Sequence, residues 1–259
     1  MSVKILLEGF FIEVAPTYVW RLDIENSITD ADKWNAEENF QSIWGFSPRY
    51  SFLLRMEILQ LIPDLTRDGI EILEVGCAAG GTLYVLRSEN PSAKLYGIEI
   101  NSGATRIASM FAEVENIDVE KIAPDHWQEK FDYIICGDVI EHLVDPWTAI
   151  RNMRKMLKPG GHLLASIPNV ANIVVIERLL NGHWDYKDAG ILDRTHLRFF
   201  TMESIVKMVQ SADFQNLEII YKRLGIPNHL LRLAEEFSER FNIALKHFTT
   251  FQYIIDATK

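Results

Sequence analysis

Carboxylate and imidazole side chains crowd two short stretches of this chain, and a third is rich in glycine. GDVIEHL carries Asp138, Glu141 and His142 at spacings of three and four, which on a helix bring side chains to one face. Histidine titrates near neutrality, so His142 suits a general base that removes a hydroxyl proton. Asp138 as a helix cap and Glu141 as an acceptor for backbone donors are the plainer roles for those two. GILDRTHLRFFT, residues 190–201, places Asp193 and His196 just before the apolar pair Phe199 and Phe200. ILEVGCAAGG, residues 72–81, runs an apolar strand into a glycine turn, where a ligand approaches the backbone closely and torsion angles exclude a Cβ. Glu74 precedes the turn and can accept from an ammonium or hold the loop, and Glu99 follows the next apolar run.

Positioning these groups requires a sheet whose strand ends converge. From Gly69 onward short apolar runs alternate with helical segments, the pattern of βαβ units around a parallel sheet. Strands are expected at 71–75, 94–98, 114–119, 133–136 and 162–167, and helices at 82–88, 103–111 and 146–157, the last stopped by a Pro159, Gly160, Gly161 breaker. An insertion at 169–200 holds a helix at 173–180 and a polar loop. Then come a helix at 203–211, a strand at 217–221, an amphipathic helix at 230–246 and a closing strand at 251–257. The expected fold is a Rossmann-like seven-stranded α/β sheet, mostly parallel with an antiparallel last strand. Residues 1–65, rich in aromatics such as Trp20, Trp34 and Trp44, read as a short β element followed by helices, including an amphipathic stretch at 48–61. They form a lid or cap segment ahead of a domain at 66–259.

Bulk properties narrow the partners. The chain has 259 residues, 48% of them hydrophobic, enough for one large buried core without a membrane-length apolar run. A formal charge of −10 and a pI near 5.2 repel phosphate backbones, which disfavours nucleic acid. Cys77 and Cys136 lack metal or redox spacing and read as buried thiols. The segment MSVKILLEGFFIEV lacks a secretory cleavage pattern, so a cytoplasmic location is expected. The helix at 230–246 must bury its apolar face on this chain or on a second copy, so a homo-oligomer is one expectation.

An acidic residue at the end of the second parallel strand chelates ribose hydroxyls, which fits an adenosyl ligand. A dinucleotide fingerprint needs G-x-G-x-x-G, and position 78 is Ala, which disfavours a pyrophosphate. ILEVGCAAGGTL, YGIEI, FDYIICGDVIEHLVDPW and LKPGGHLLASIPN, in that order over residues 72–169, together resemble the four hallmark segments of class I S-adenosylmethionine-dependent methyltransferases. The departure is Ala78, Ala79, Gly80 in place of G-x-G. The resemblance implies S-adenosyl-L-methionine as cofactor, with Glu74, Gly76 and Gly80 along its methionine moiety and Glu99 on its ribose. Asn116 and Ile117 are implied at the adenine, with Ala78, Ile100 and Gly137 completing the set.

Residues 190–201 resemble a segment found after the fifth strand in methyltransferases of bacterial glycan and secondary biosynthesis. They are also similar to ubiquinone-biosynthesis O-methyltransferases and the plant small-RNA 2′-O-methyltransferase, where an E-x-x-E-H helix and a later histidine hold Mg²⁺. That likeness implies a metal set of Asp138, Glu141, His142 and His196, with Asp138 standing where the family has Glu. It also makes His196 and Asp138 catalytic candidates beside His142. Arg194 and Arg198 suit an anionic acceptor group or a salt bridge to Asp193 or Glu203. Trp184 and Tyr186 suit a sugar ring or a packed loop, and His162, His183, His229 and His247 read as surface or helix residues. The expected activity is O-methylation of a small-molecule hydroxyl, preferably on a sugar or nucleotide-linked sugar. The alternatives are an amine or a phenol/quinone acceptor, or a non-catalytic donor-binding subunit.

Overall fold

The computed structural model describes residues 3–7, 10–14, 20–23, 54–121 and 123–259, which form two compact units, Met1–Asp118 and Val119–Lys259. In the first unit β1 (Val3–Leu7), β2 (Phe10–Val14) and β3 (Trp20–Asp23) form a three-stranded antiparallel sheet. The short β element expected there is thus a sheet of its own. The expected helical part of the lid falls largely outside the described residues, as do Trp34 and Trp44. Of the helix expected at 48–61, the described part is α1 (Met56–Leu59), where Ile58 and Leu59 are buried.

β4 (Glu71–Val75) and β5 (Lys94–Ile98) pair in parallel, and every residue from 72 to 75 and from 95 to 98 is buried, as a strand covered on both faces demands. Between them lies α2 (Gly81–Glu89). α3 (Ser102–Ala108) starts where the Asn101 side chain accepts from the Ala104 amide at 3.0 Å. It ends before the expected residue 111, because Phe111 leaves the helix to meet the Tyr84 ring edge-on at 5.4 Å. The third parallel strand, β6 (Glu113–Glu115), is shorter than the expected 114–119. Asn116 leaves the ladder and donates its side-chain amide to the Glu99 carbonyl at 2.7 Å.

In the second unit β7 (Phe131–Gly137) precedes α4 (Pro146–Met156), which is capped by Asp145 with Pro146 in its first turn. β8 (Leu157–Pro168) follows with no loop between. The Pro159, Gly160, Gly161 segment, expected as a breaker outside the sheet, lies within this strand. Pairing with β7 jumps from Phe131↔Leu157 to Tyr133↔His162, so a bulge with Gly160 at φ +77° absorbs the proline that has no N–H to give. His162 lies in this strand, as the strand expected at 162–167 has it, and its Nδ1 lies 2.7 Å from Asp256 Oδ1.

α5 (Ile173–Leu180), α6 (Met202–Ser211) and β9 (Gln215–Arg223) come next, near the expected bounds. α7 (Asn228–Phe241) stops short of the expected residue 246, because Asn242 adopts a left-handed φ of +52°. α8 (Lys246–Thr249) leads into β10 (Thr250–Thr258), antiparallel to both β8 and β9. The full sheet order is β6-β5-β4-β7-β8-β10-β9, a Rossmann-like, mostly parallel arrangement with an antiparallel last strand. The apolar face of α7 is covered within its own unit, since Leu230 and Ala234 cluster with Ile173 and Phe248.

Candidate active site

In the first unit the glycine turn follows β4. Gly76, Ala78 and Gly80 take φ of +68°, +47° and +82°, so this loop folds through the left-handed region that glycine tolerates best. A Cβ on Gly80 would stand 2.9 Å from the Ala108 Cα, so the residue also sets how closely α2 and α3 approach. Glu99, at the end of β5, is buried and already engaged. Its Oε2 accepts from the Ala78 amide at 2.9 Å and its Oε1 from the Asn101 amide at 2.8 Å. The carboxylate thereby ties the glycine turn to the start of α3. Ile100 beside it is 71% exposed, which leaves an apolar side chain free to meet a ligand. Asn116 is an exposed side chain anchored to the Glu99 carbonyl, and Ile117 is half-buried.

Glu74 is buried, and its Oε2 has no hydrogen-bond partner among the described residues. Burial pushes its carboxyl up from 4.5 to about 8, against the pull of Thr82 and Arg55. A buried carboxyl oxygen lacking a donor, a glycine turn and a fixed acidic residue at the next strand end suit the ammonium, the close-lying backbone contacts and the ribose of S-adenosylmethionine. Cys77, between them, is a free buried thiol raised well above its usual range by burial.

In the second unit Asp138 directly follows β7 with φ +53°. That left-handed turn breaks the helical phase assumed for residues 138–142, and only Ile140–His142 form a single 3-10 turn. The expected single face for Asp138, Glu141 and His142 is therefore not formed. Asp138 Oδ1 instead accepts from the Ser166 hydroxyl at 2.6 Å and from the Gln252 side-chain amide. Gly137, the last residue of β7, pairs with Ser166 in the ladder. Ser166 and Gln252 escaped the sequence reading, although a lone serine in the apolar run LLASIP was a visible signal.

Glu141, His142 and His196 come together, each offering a ligand atom within 4.8 Å of the others. His196 Nε2 lies 4.0 Å from Glu141 Oε1, and the two imidazoles meet edge-on at 4.8 Å between centroids. Asp138 is outside this group. His142 Nδ1 lies 3.2 Å from the Thr195 carbonyl and His196 Nδ1 2.9 Å from the Ile191 carbonyl. A carbonyl can only accept, so each Nδ1 carries the hydrogen and each neutral ring keeps its lone pair at Nε2. Carbonyl-anchored imidazoles beside a buried carboxylate are the usual supporting arrangement of a metal centre, so these residues fit a divalent cation.

The loop is held in place because the Glu141 carbonyl accepts from the Leu197 and Arg198 amides at 2.8 and 3.0 Å. Arg198 Nε donates to the Val144 carbonyl at 3.1 Å, while Arg194 pairs with Asp188, so neither arginine makes the expected bridge to Asp193 or Glu203. Trp184 packs edge-on against Phe199 at 5.2 Å, the packed-loop reading, and Tyr186 is 54% exposed.

Comparisons with known proteins agree with this geometry. Residues 47–219 match the profile of a family described as a methyltransferase domain. A ubiquinone biosynthesis O-methyltransferase of Alkalilimnicola ehrlichii is 35% identical over 109 residues, which are 39% of this chain and 43% of that protein. One from Coxiella burnetii is 22% identical over 229 residues, 86% of this chain and 91% of that protein. A solved S-adenosylmethionine-dependent methyltransferase of Archaeoglobus fulgidus shares the fold, with a TM-score of 0.58 at 17% identity over 86% of this chain and 99% of that one. With the profile covering most of its length, the chain belongs to the methyltransferase-domain family and is an S-adenosylmethionine-dependent methyltransferase.

Proposed function

We propose that the protein methylates a hydroxyl oxygen, and that the hydroxyl is phenolic. The observation that carries this reading is the group of two carbonyl-anchored imidazoles and one buried carboxylate, a device for handling a hydroxyl proton. An amine needs no such device, since it can lose its proton after attack. The phenolic choice comes from the relatives, which are named for ubiquinone biosynthesis. The sugar acceptor expected from the sequence has no comparable support among them.

In this reading Glu74 meets the donor's ammonium and Glu99 its ribose, with Gly76, Ala78, Gly80, Ile100, Asn116, Ile117 and Gly137 around it. Transfer is an in-line displacement at an activated sulfonium carbon, so alignment and proton removal are the protein's main tasks. His142 offers a neutral Nε2 for the hydroxyl proton. Burial first, and then the neighbouring His196, lower its pKa below the ordinary 6.5, so the neutral form persists in mild acid. Asp138 positions the turn that carries Glu141 and His142.

As the alternative to a free His142 base, Glu141, His142 and His196 would hold a divalent ion; the His142 Nε2 would then be a ligand, and the ion would supply polarisation of the acceptor oxygen. With two imidazoles to one carboxylate this donor set suits Mn²⁺, Fe²⁺ or Zn²⁺ better than the Mg²⁺ expected from the sequence, because Mg²⁺ prefers all-oxygen octahedral sites.

Labelled donor offered with catechols, nucleotide sugars and primary amines tests the proposal. Transfer to catechols is expected, with an acid limb of kcat/KM below pH 6.5 and a loss of about a hundredfold in His142→Ala. A chelator should lower the rate and Mn²⁺ restore it. Transfer confined to amines, or full turnover in His142→Ala, would remove the proposal.

A further inference from the structure

A cavity of about 230 Å³ opens in the unit that carries the histidines. Its wall is apolar, built from Val174 and Val175 of α5, Ile191, Leu224, Ile226 and Phe251. The charged residues that line it, Arg178 and Lys187, are both cationic. The lining itself holds no carboxylate, while Asp185 pairs with Arg178 and Asp188 follows Lys187 in the chain. Arg178 Nη2 is paired with Asp185 at 2.7 Å, but its Nε is buried and lacks an acceptor among the described residues. Lys187 stands exposed at the mouth, fixed in a turn by its amide donating to the Leu192 carbonyl at 2.9 Å.

We propose that this cavity binds a small amphipathic anion, a medium-length apolar chain ending in a carboxylate or phosphate. The chain would lie against the aliphatic wall and the anion at Lys187 and the Arg178 Nε–H. Burial of apolar surface supplies the affinity and the two cations supply the choice of head group. The cavity shares a residue with the reacting cluster, because Ile191 lines it and the Ile191 carbonyl also holds the His196 ring. An occupant therefore presses on the segment that orients His196. The same chemistry could belong to a substituent of the acceptor or to a separate effector, and the site itself does not depend on which group is methylated.

The test is methyl NMR on the full chain with octanoate, octanol and octylamine as probes. Octanoate is expected to shift the methyls of Val175, Ile191 and Ile226 saturably and to bind about fivefold more tightly than octanol, while octylamine binds least. Lys187→Gln should remove most of the preference for octanoate over octanol. Ala189→Trp, placed at an exposed position of the lining, should exclude all three. S-adenosylhomocysteine binding, measured separately, reports whether each variant keeps its fold and whether the donor site is real. Octanoate slowing turnover competitively with a catechol would mark the cavity as part of the acceptor site, and a non-competitive effect as an effector site. Octylamine binding as well as octanoate, shifts scattered over methyls outside the cavity, or no saturable binding would overturn the proposal.

Discussion

Glu74 illustrates how a single buried group couples fold to solution conditions. The native chain keeps the Glu74 proton up to about pH 8, whereas an unfolded chain releases it above 4.5. The native state thus binds more protons across that window, so the group's contribution makes stability fall as pH rises from 4.5 to about 8 and level off beyond. Glu74→Gln should flatten this dependence, with a gain of a few kcal/mol at the alkaline end, read from urea unfolding at several pH values; an unchanged slope would assign it to other groups. The glycine turn and the strand-end carboxylate proposed for the donor stand where the sequence put them, because both are local signals. The geometry of the residues proposed for the acceptor side was legible only in part. His142 and His196 were identified, but Asp138 was placed with them because its left-handed φ cannot be read from residue type. Its true partners lie 28 and 114 residues away, at Ser166 and Gln252.

Elements follow a similar rule. Strands and helices of the βαβ units appeared where apolar runs and caps marked them, and the misses fall where a tertiary contact overrides a local preference. Asn116 shortens β6 by bonding to Glu99, and a bulge carries Pro159 inside β8. The junction most exposed to test is that of α2 with α3 through Gly80. Gly80→Ala would force a Cβ to within 2.9 Å of the Ala108 backbone at a φ of +82°. A loss of about 1–3 kcal/mol is expected, together with weaker S-adenosylhomocysteine binding, measured by thermal melting and calorimetry. Unchanged melting and affinity would show that the two helices yield freely, against the close packing described above.

For the molecule as a whole, no helix among the described residues is long and apolar enough to cross a membrane. The sequence left open whether α7 is covered by its own chain, and the structure answers with Ile173 and Phe248. Ala234→Glu, at a fully buried position, should therefore lower the melting temperature by an amount worth several kcal/mol, with no change in protomer number by light scattering. Dissociation of an assembly without loss of fold would instead assign that face to a second copy. The long-range bonds of the second unit also bear on the order in which the protein becomes competent. Asn169 reaches residues 78 and 81 positions later, at His247 and Thr250, and Asp138 needs Gln252. A polypeptide emerging from the ribosome thus completes its glycine turn and Glu99 early, while the turn bearing Glu141 and His142 waits for the final strand to arrive. In the proposed reading, most of the residues assigned to the donor are therefore made well before the bonds that set the turn of Glu141 and His142 can form.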